Sequence, residues 1–242
     1  MKYAIVDVET TGLNPYRNTI WSLSVTIFDG EGEDYLSYEC APVKGSTIDS
    51  KSLSMAGKVE ADIIGLEAPD IVWDRFQHDL RKYIDPYNRK DKLHFIGYNA
   101  RFDYDFVRNW WKQFDKYFGS FFWFPPIDVM NLAATFFMPA RKTIPDFKLA
   151  TVAAALEIPV EQDRLHTSEY DRDLTLIIFK LLYKHMNHAK GDDDGDKDSS
   201  TKVEKKSRAS NSTAATVSRE VQLKGKRSVN EKPNSRDSSK QE

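Results

Sequence analysis

Ile5-Val6-Asp7-Val8-Glu9-Thr10-Thr11-Gly12 is the stretch around which the rest of the chain is organised. Residues 1–8 read as a buried strand of β-branched and aromatic residues. Side chains alternate across a strand, so Asp7 and Glu9 share one face while Val6 and Val8 share the other. Two neighbouring carboxylates on a mostly apolar strand repel each other and lose hydration. A bound divalent cation would relieve both costs, and a solvated strand face would avoid them. From these residues alone both readings stand. Gly12 permits a sharp turn directly after the acidic pair.

Outward from this stretch, composition narrows the classes. The chain has 242 residues, which suggests one domain with room for an appendage. Lys and Arg number 35 and Asp and Glu 37, a formal net charge of -2. That balance does not announce a nucleic-acid binder, but a site that binds cations brings its own positive charge. Cys40 is the single cysteine. An intrachain disulfide and a cysteine-rich zinc site are therefore excluded, and a reducing, cytoplasmic setting is expected. No secretory signal pattern opens the chain. The most apolar stretch, residues 118–140, contains Pro125, Pro126, Asp128 and Asn131, a poor membrane span and a good piece of core.

Residues 20–28 (IWSLSVTIF) and 35–41 read as the next strands, joined by a hairpin at Asp29-Gly30-Glu31-Gly32. An antiparallel meander is expected first. Residues 45–69 are irregular, with room for short helices. Val72, Phe76, Leu80 and Ile84 are spaced as on a helix that ends before Pro86. Residues 93–97 form a short strand, and Asn99 is placed to cap the helix after it. Residues 118–126 read as an aromatic connection, with a short strand or strand end at Ile127. Helices follow over 129–137, 148–156 and within 165–186. The order implies an α/β domain over residues 1–188, a mixed sheet covered by helices.

From 189 to 242 the chain is polar and charged with hardly any aromatics. Such a segment cannot bury enough apolar surface to offset its ordering entropy, and a disordered tail is expected. The run Asp192-Asp193-Asp194-Gly195-Asp196 resembles a calcium loop only superficially. Lys190 and Thr201 stand where the first and last ligands should be.

Three further segments offer ligands or bases. Asp103 opens a helix after a buried strand, where it could simply favour the positive helix end. Asp128 follows an apolar strand and could be an N-cap. His166 precedes the last helix, where Ser168 and Asp171 resemble a capping box.

Together these segments carry a resemblance. Asp7-Val8-Glu9-Thr10-Thr11-Gly12, Asn99-Ala100-Arg101-Phe102-Asp103, and His166 with Asp171 are similar, in order and spacing, to the three signature blocks of the DEDDh exonucleases. That family includes the proofreading epsilon subunit of bacterial DNA polymerase III. The resemblance covers residues 1–186, and Ile127-Asp128 and Lys148-Leu149 resemble supporting positions. It implies an RNase H-like fold with a five-stranded mixed sheet flanked by helices. It also implies a metal-dependent 3′–5′ exonuclease that releases nucleoside monophosphates.

Carried over, Asp7, Glu9, Asp103 and Asp171 would hold two ions of Mg2+ or Mn2+, and His166 would be the general base. Carboxylates suit these hard cations. Two of them about 3.5–4 Å apart stabilise both entering and leaving oxygens of a phosphodiester, and a neutral histidine can accept the water's proton. Ser168, Glu169 and Arg172 depart from the small residues usual in the third block. Asp105 and Asp173 are extra acids that the motif does not assign.

For the substrate, Thr10, Thr11, Gly12 and Leu13 resemble the family's cradle for the terminal nucleotide, with Asn99, Phe102, His166 and Met55 as further contacts. The rings from Trp110 to Phe124 could stack bases at about 1–3 kcal/mol each, but core is the commoner role. Trp111 and Trp123 are the ones expected nearest the surface. The partner implied is a nucleic acid with a free 3′ end, single-stranded DNA favoured, with a DNA polymerase as a possible companion and no membrane. RNA 3′ trimming by the same site, and a non-catalytic docking module of the same fold, are the alternatives.

Overall fold

A computed structural model of the protein describes residues 1–114 and 117–188. The polar segment expected to be a disordered tail, with its acidic run, lies outside those residues.

The opening strand, β1, spans Tyr3–Thr10. Next come β2 (Ile20–Phe28) and β3 (Glu33–Glu39), both antiparallel to their predecessors. The Asp29 carboxylate accepts the N–H of Glu31 at 2.9 Å in the turn between them. The expected meander is therefore what forms. Two short helices follow, α1 (Ser50–Met55) and α2 (Glu60–Ile64), then α3 (Pro69–Leu80), which starts on a proline at its first position.

β4 (Leu93–Gly97) returns parallel to β1, and α4 (Arg101–Gln113) leads away from it. β5 (Phe122–Asp128) lies parallel to β4 and completes a five-stranded mixed sheet in the order β3-β2-β1-β4-β5. The helices α5 (Val129–Phe136), α6 (Leu149–Ala155) and α7 (Ser168–His188) close the domain. This is the α/β, RNase H-like arrangement that the resemblance implied.

The alternation along β1 divides the core in two. Ala4, Val6 and Val8 pack with Leu23, Val25 and Ile27 of β2 against Phe76 of α3 and Trp110 and Trp111 of α4. Tyr3 and Ile5 face the other way, onto Leu174, Ile178 and Leu182 of α7. Truncating one of the large fully buried rings, such as Trp111, would cost about 3–5 kcal/mol.

Three details differ from the sequence reading. Residues 118–126 are not a bare connection: Phe118–Ser120 form a 3-10 turn, and Phe122 already begins β5. Pro125 and Pro126 argue locally against a strand, but β5 is a sheet edge, where a missing N–H is tolerated. Trp111 is not near the surface but fully buried, edge-on to Trp73 and Phe76. Asn99 does not cap α4. It takes a left-handed backbone (φ 57°), and Ala100 occupies the cap position without a side-chain bond. Among the described residues, no helix is long and apolar enough to cross a membrane.

Candidate active site

The three parallel strands β1, β4 and β5 end on the same side of the sheet, at Thr10, Gly97 and Asp128. Open sheets bind ligands beyond such carboxyl ends, at the point where the strand order switches. Here the switch is at β1, flanked by antiparallel β2 and parallel β4.

Asp7 and Glu9 share the α7 face of β1 with Tyr3 and Ile5, but lie closer to the strand's carboxyl end. Their cross-strand partners on β2 are Ser24 and Ser22. Both serine hydroxyls meet the hydroxyl of Ser168, at 2.7 Å for Ser24 and 2.8 Å for Ser22. Such small side chains let the first turn of α7 rest on the sheet beside the acids. Ser168 thus spends its hydroxyl on the sheet rather than on the capping box expected for it. Asp171 does not take up its half of the box either: its carboxylate accepts the N–H of His166, two residues before Ser168, at 3.3 Å.

The result is a cluster in which one carboxylate oxygen each from Asp7, Glu9 and Asp171 lies within 4.8 Å of the others. Asp103 reaches it from the first turn of α4. It is 3% exposed, and its Oδ1 accepts the N–H of Val8, the residue between the two β1 acids, at 3.1 Å. The fold therefore gathers three of the four acids named from the sequence and sets Asp103 beside them, close enough for its charge to act on Asp7 and Glu9.

Their mutual electrostatics are unfavourable without a cation. Burial, followed by the charges of Asp103, Glu9 and Asp171, holds Asp7 well above the usual carboxylate range, with Arg172 pulling the other way. Burial, with Asp171 and Asp103, pushes Glu9 up to about 8. Burial also holds Asp103 well above its ordinary value, against the stabilising N–H of Val8. For Asp171, burial raises the carboxyl to about 6, opposed by the N–H and the charge of His166. The buried Oδ1 of Asp171 has no hydrogen-bond partner among the described residues. An all-oxygen donor set with an unpartnered buried oxygen fits a hard divalent cation.

This has a consequence for stability. In the metal-free protein the folded state holds protons on Glu9 and Asp171 that the unfolded chain has already released. Stability should therefore fall as pH rises from about 4 towards about 8, by several kcal/mol. Millimolar Mn2+ should flatten or reverse that slope, because it binds the ionised carboxylates. Melting curves across this range, with and without the ion, check both signs.

His166 is exposed. Its left-handed backbone (φ 65°) is uncommon for a residue with a side chain. The turn keeps its N–H on Asp171, and its imidazole is near enough to lower the pKa of that carboxyl.

The other acids have different employment. Asp128 is the N-cap of α5, accepting from Met130 N–H at 2.9 Å, and acts on Asp103 only as a like charge. Asp105 pairs with Arg101 at 2.5 Å, and Asp173 with the buried Arg172 at 2.7 Å.

The cradle residues are tied into one turn. The Thr10 hydroxyl donates to Gly12 O at 2.7 Å, and the Thr11 hydroxyl to Thr47 O at 2.8 Å. A Cβ on Gly12 would come within 2.4 Å of Asn18 Nδ2. That amide cannot easily move aside, because it bonds Thr11 O and Thr47 O. Leu13 (79% exposed) and Met55 (59%) present open apolar surface, while Phe102 is half-buried against Phe106 and Asn99 is exposed.

Ser22 and Ser24 were missed from the sequence. Their signal was two serines two positions apart in an otherwise apolar strand, on the face that would pair with Asp7 and Glu9.

No protein-family model matches the chain. Ribonuclease T of Hahella chejuensis (strain KCTC 2396) is 25% identical over 191 residues, which span 72% of this chain and 80% of that protein. Among solved structures, the zinc-bound form of the E. coli exonuclease I–ssDNA complex matches with a TM-score of 0.59 at 17% identity, over 77% of this chain. The chain spans only 41% of that exonuclease. Cell-death related nuclease 4 (CRN-4) matches with a TM-score of 0.59 at 14% identity, over 76% of this chain and 64% of its own. These two structures share the fold. In fold, in the order of its motifs and in part of its sequence, the chain resembles the DEDDh-type 3′–5′ exonucleases.

Proposed function

We propose that this chain is a divalent-cation-dependent 3′–5′ exonuclease that releases nucleoside monophosphates from the 3′ end of a single strand, with DNA favoured. The observation that supports it is the meeting of Asp7, Glu9 and Asp171 oxygens within 4.8 Å, with Asp103 bonded to the backbone between the first two. So much negative charge in a buried pocket is a liability unless the pocket exists to hold cations.

Asp7, Glu9, Asp103 and Asp171 would hold two ions of Mg2+ or Mn2+. When bound, these would supply charge neutralisation at the phosphate and make water more acidic. The chain's own residues do the rest. The turn from Thr10 to Leu13 seats the terminal nucleotide, its backbone approaching the sugar where Gly12 has no side chain. Leu13 and Met55 lie against the base, with Phe102 and Asn99 lining the approach. His166 accepts the proton of the attacking water on a ring nitrogen. Its exposed position lets that proton pass on to solvent.

The test is incubation with a 5′-labelled single strand and Mg2+ or Mn2+, with and without EDTA. Shortening from the 3′ end by single nucleotides, abolished by EDTA, is expected; binding without any metal-dependent shortening would overturn the proposal and favour a docking module. The likeness to a protein named ribonuclease T favours one second reading, RNA 3′ trimming by the same residues. A matched RNA strand in the same assay separates the two, because discrimination rests on contacts to the 2′-hydroxyl.

A further inference from the structure

A groove of about 740 Å³ runs along the outer side of α4. It starts at Tyr16, in the loop that continues from the cradle, and ends against Trp123 and Phe124 on the edge strand β5. Asn109 of α4 donates to Pro15 O at 2.5 Å, so the cradle loop and the groove are joined. None of the four clustered acids lines it.

Its lining is cationic and aromatic. Lys92, Arg108 and Lys112 stand along it, the last two exposed and without an ion pair among the described residues. Among the described residues that line it, the one acid is Asp105, which is paired with Arg101. Lys92 lies 5.0 Å over the ring of Trp123, which fixes its charge at the wall. Tyr16, Tyr117 and Phe124 are 81%, 77% and 73% exposed. Rings left so open forgo the burial that usually stabilises them, and beside them stand Arg108 and Lys112, with no ion pair among the described residues. Cations beside open rings match the chemistry of a single strand, whose phosphates need neutralising and whose bases stack on any aromatic face. A folded protein partner would instead disfavour the lysines, in which protein interfaces are depleted.

We infer that this groove is a track for the single strand upstream of its 3′ end. The inference rests on the exonuclease reading and extends it to substrate length. Lys112 lies about 14 Å along α4 from Asp103, the length of about four stacked nucleotide steps. Very short strands would therefore fill the cradle and leave the groove empty, while longer ones would occupy both.

The experiment measures binding of 5′-fluorescein oligothymidines of about 4 and about 16 nucleotides to the full chain in EDTA, across a salt series. The paired substitution Arg108→Gln/Lys112→Gln should weaken the long strand about ten-fold and reduce its salt slope by about 1.4, while changing the short strand less than about two-fold. Tyr117→Ala/Phe124→Ala should weaken the long strand about ten-fold with little change in salt slope. All four side chains are exposed, and unchanged melting temperatures would show that the variants fold. Unchanged long-strand affinity in both variants, or equal losses at both lengths, would overturn the track. Metal-dependent hydrolysis by the wild type, measured alongside, keeps the outcomes distinct. A track can fail while the nuclease stands, and length-dependent binding without hydrolysis would sink the nuclease reading alone.

Discussion

Asp7→Asn is expected to lower turnover by about a thousand-fold or more, because it removes one charged ligand from the cluster and with it several kcal/mol of charge stabilisation. The same substitution should raise the melting temperature of the metal-free protein near pH 8. Asp7 is held well above the usual carboxylate range by burial and by three neighbouring acids, so a neutral amide of the same shape removes a repulsion. Opposite signs for activity and stability mark a residue kept for function. Single-turnover rates with Mn2+, beside melting curves in EDTA, measure both. A loss of folded structure as large as the loss of activity would instead make Asp7 a structural residue.

His166→Ala comes second, with an expected fall in kcat of about 10²–10⁴, the usual worth of a positioned general base. Strand affinity should change little, because the cradle turn and the four acids are untouched. Cation affinity should hold as well, since Asp171 takes only the backbone N–H of residue 166. The left-handed backbone at this position calls for a second variant. His166→Asn suits that conformation better than alanine does and still lacks a comparable base. Equal rate losses in the two variants would assign the effect to the imidazole. A near-normal rate in the asparagine variant would show that only the turn matters.

Much of the site was legible in the chain because its signals are local. Period-two alternation puts Asp7 and Glu9 on one face of a strand whatever surrounds it. Gly12 directly after them and Asp103 in a first helical turn are equally short-range facts, and so is the meander of the first strands. Where local signals compete with tertiary context, reading failed. Pro125 and Pro126 argue against a strand, but an edge position tolerates them. Asn99 is an ordinary capping residue that the chain uses instead for a left-handed turn. Trp111 shows no sign in its own neighbourhood of the depth at which it lies.

The sequence by itself determined the fold class, because alternation and helical spacing along each element carry that information, and its resemblance to a known family singled out the four acids and the histidine as candidates. Only the tertiary structure decided that the acids meet. Asp171 arrives because Ser168, at the far end of the domain, finds Ser22 and Ser24 small enough to approach and polar enough to bond. Likewise, only the packing of the Tyr16 loop on α4 beside the sheet edge makes a groove of residues scattered through the sequence. Contacts between such distant positions depend on how whole elements dock, which no short window of residues encodes.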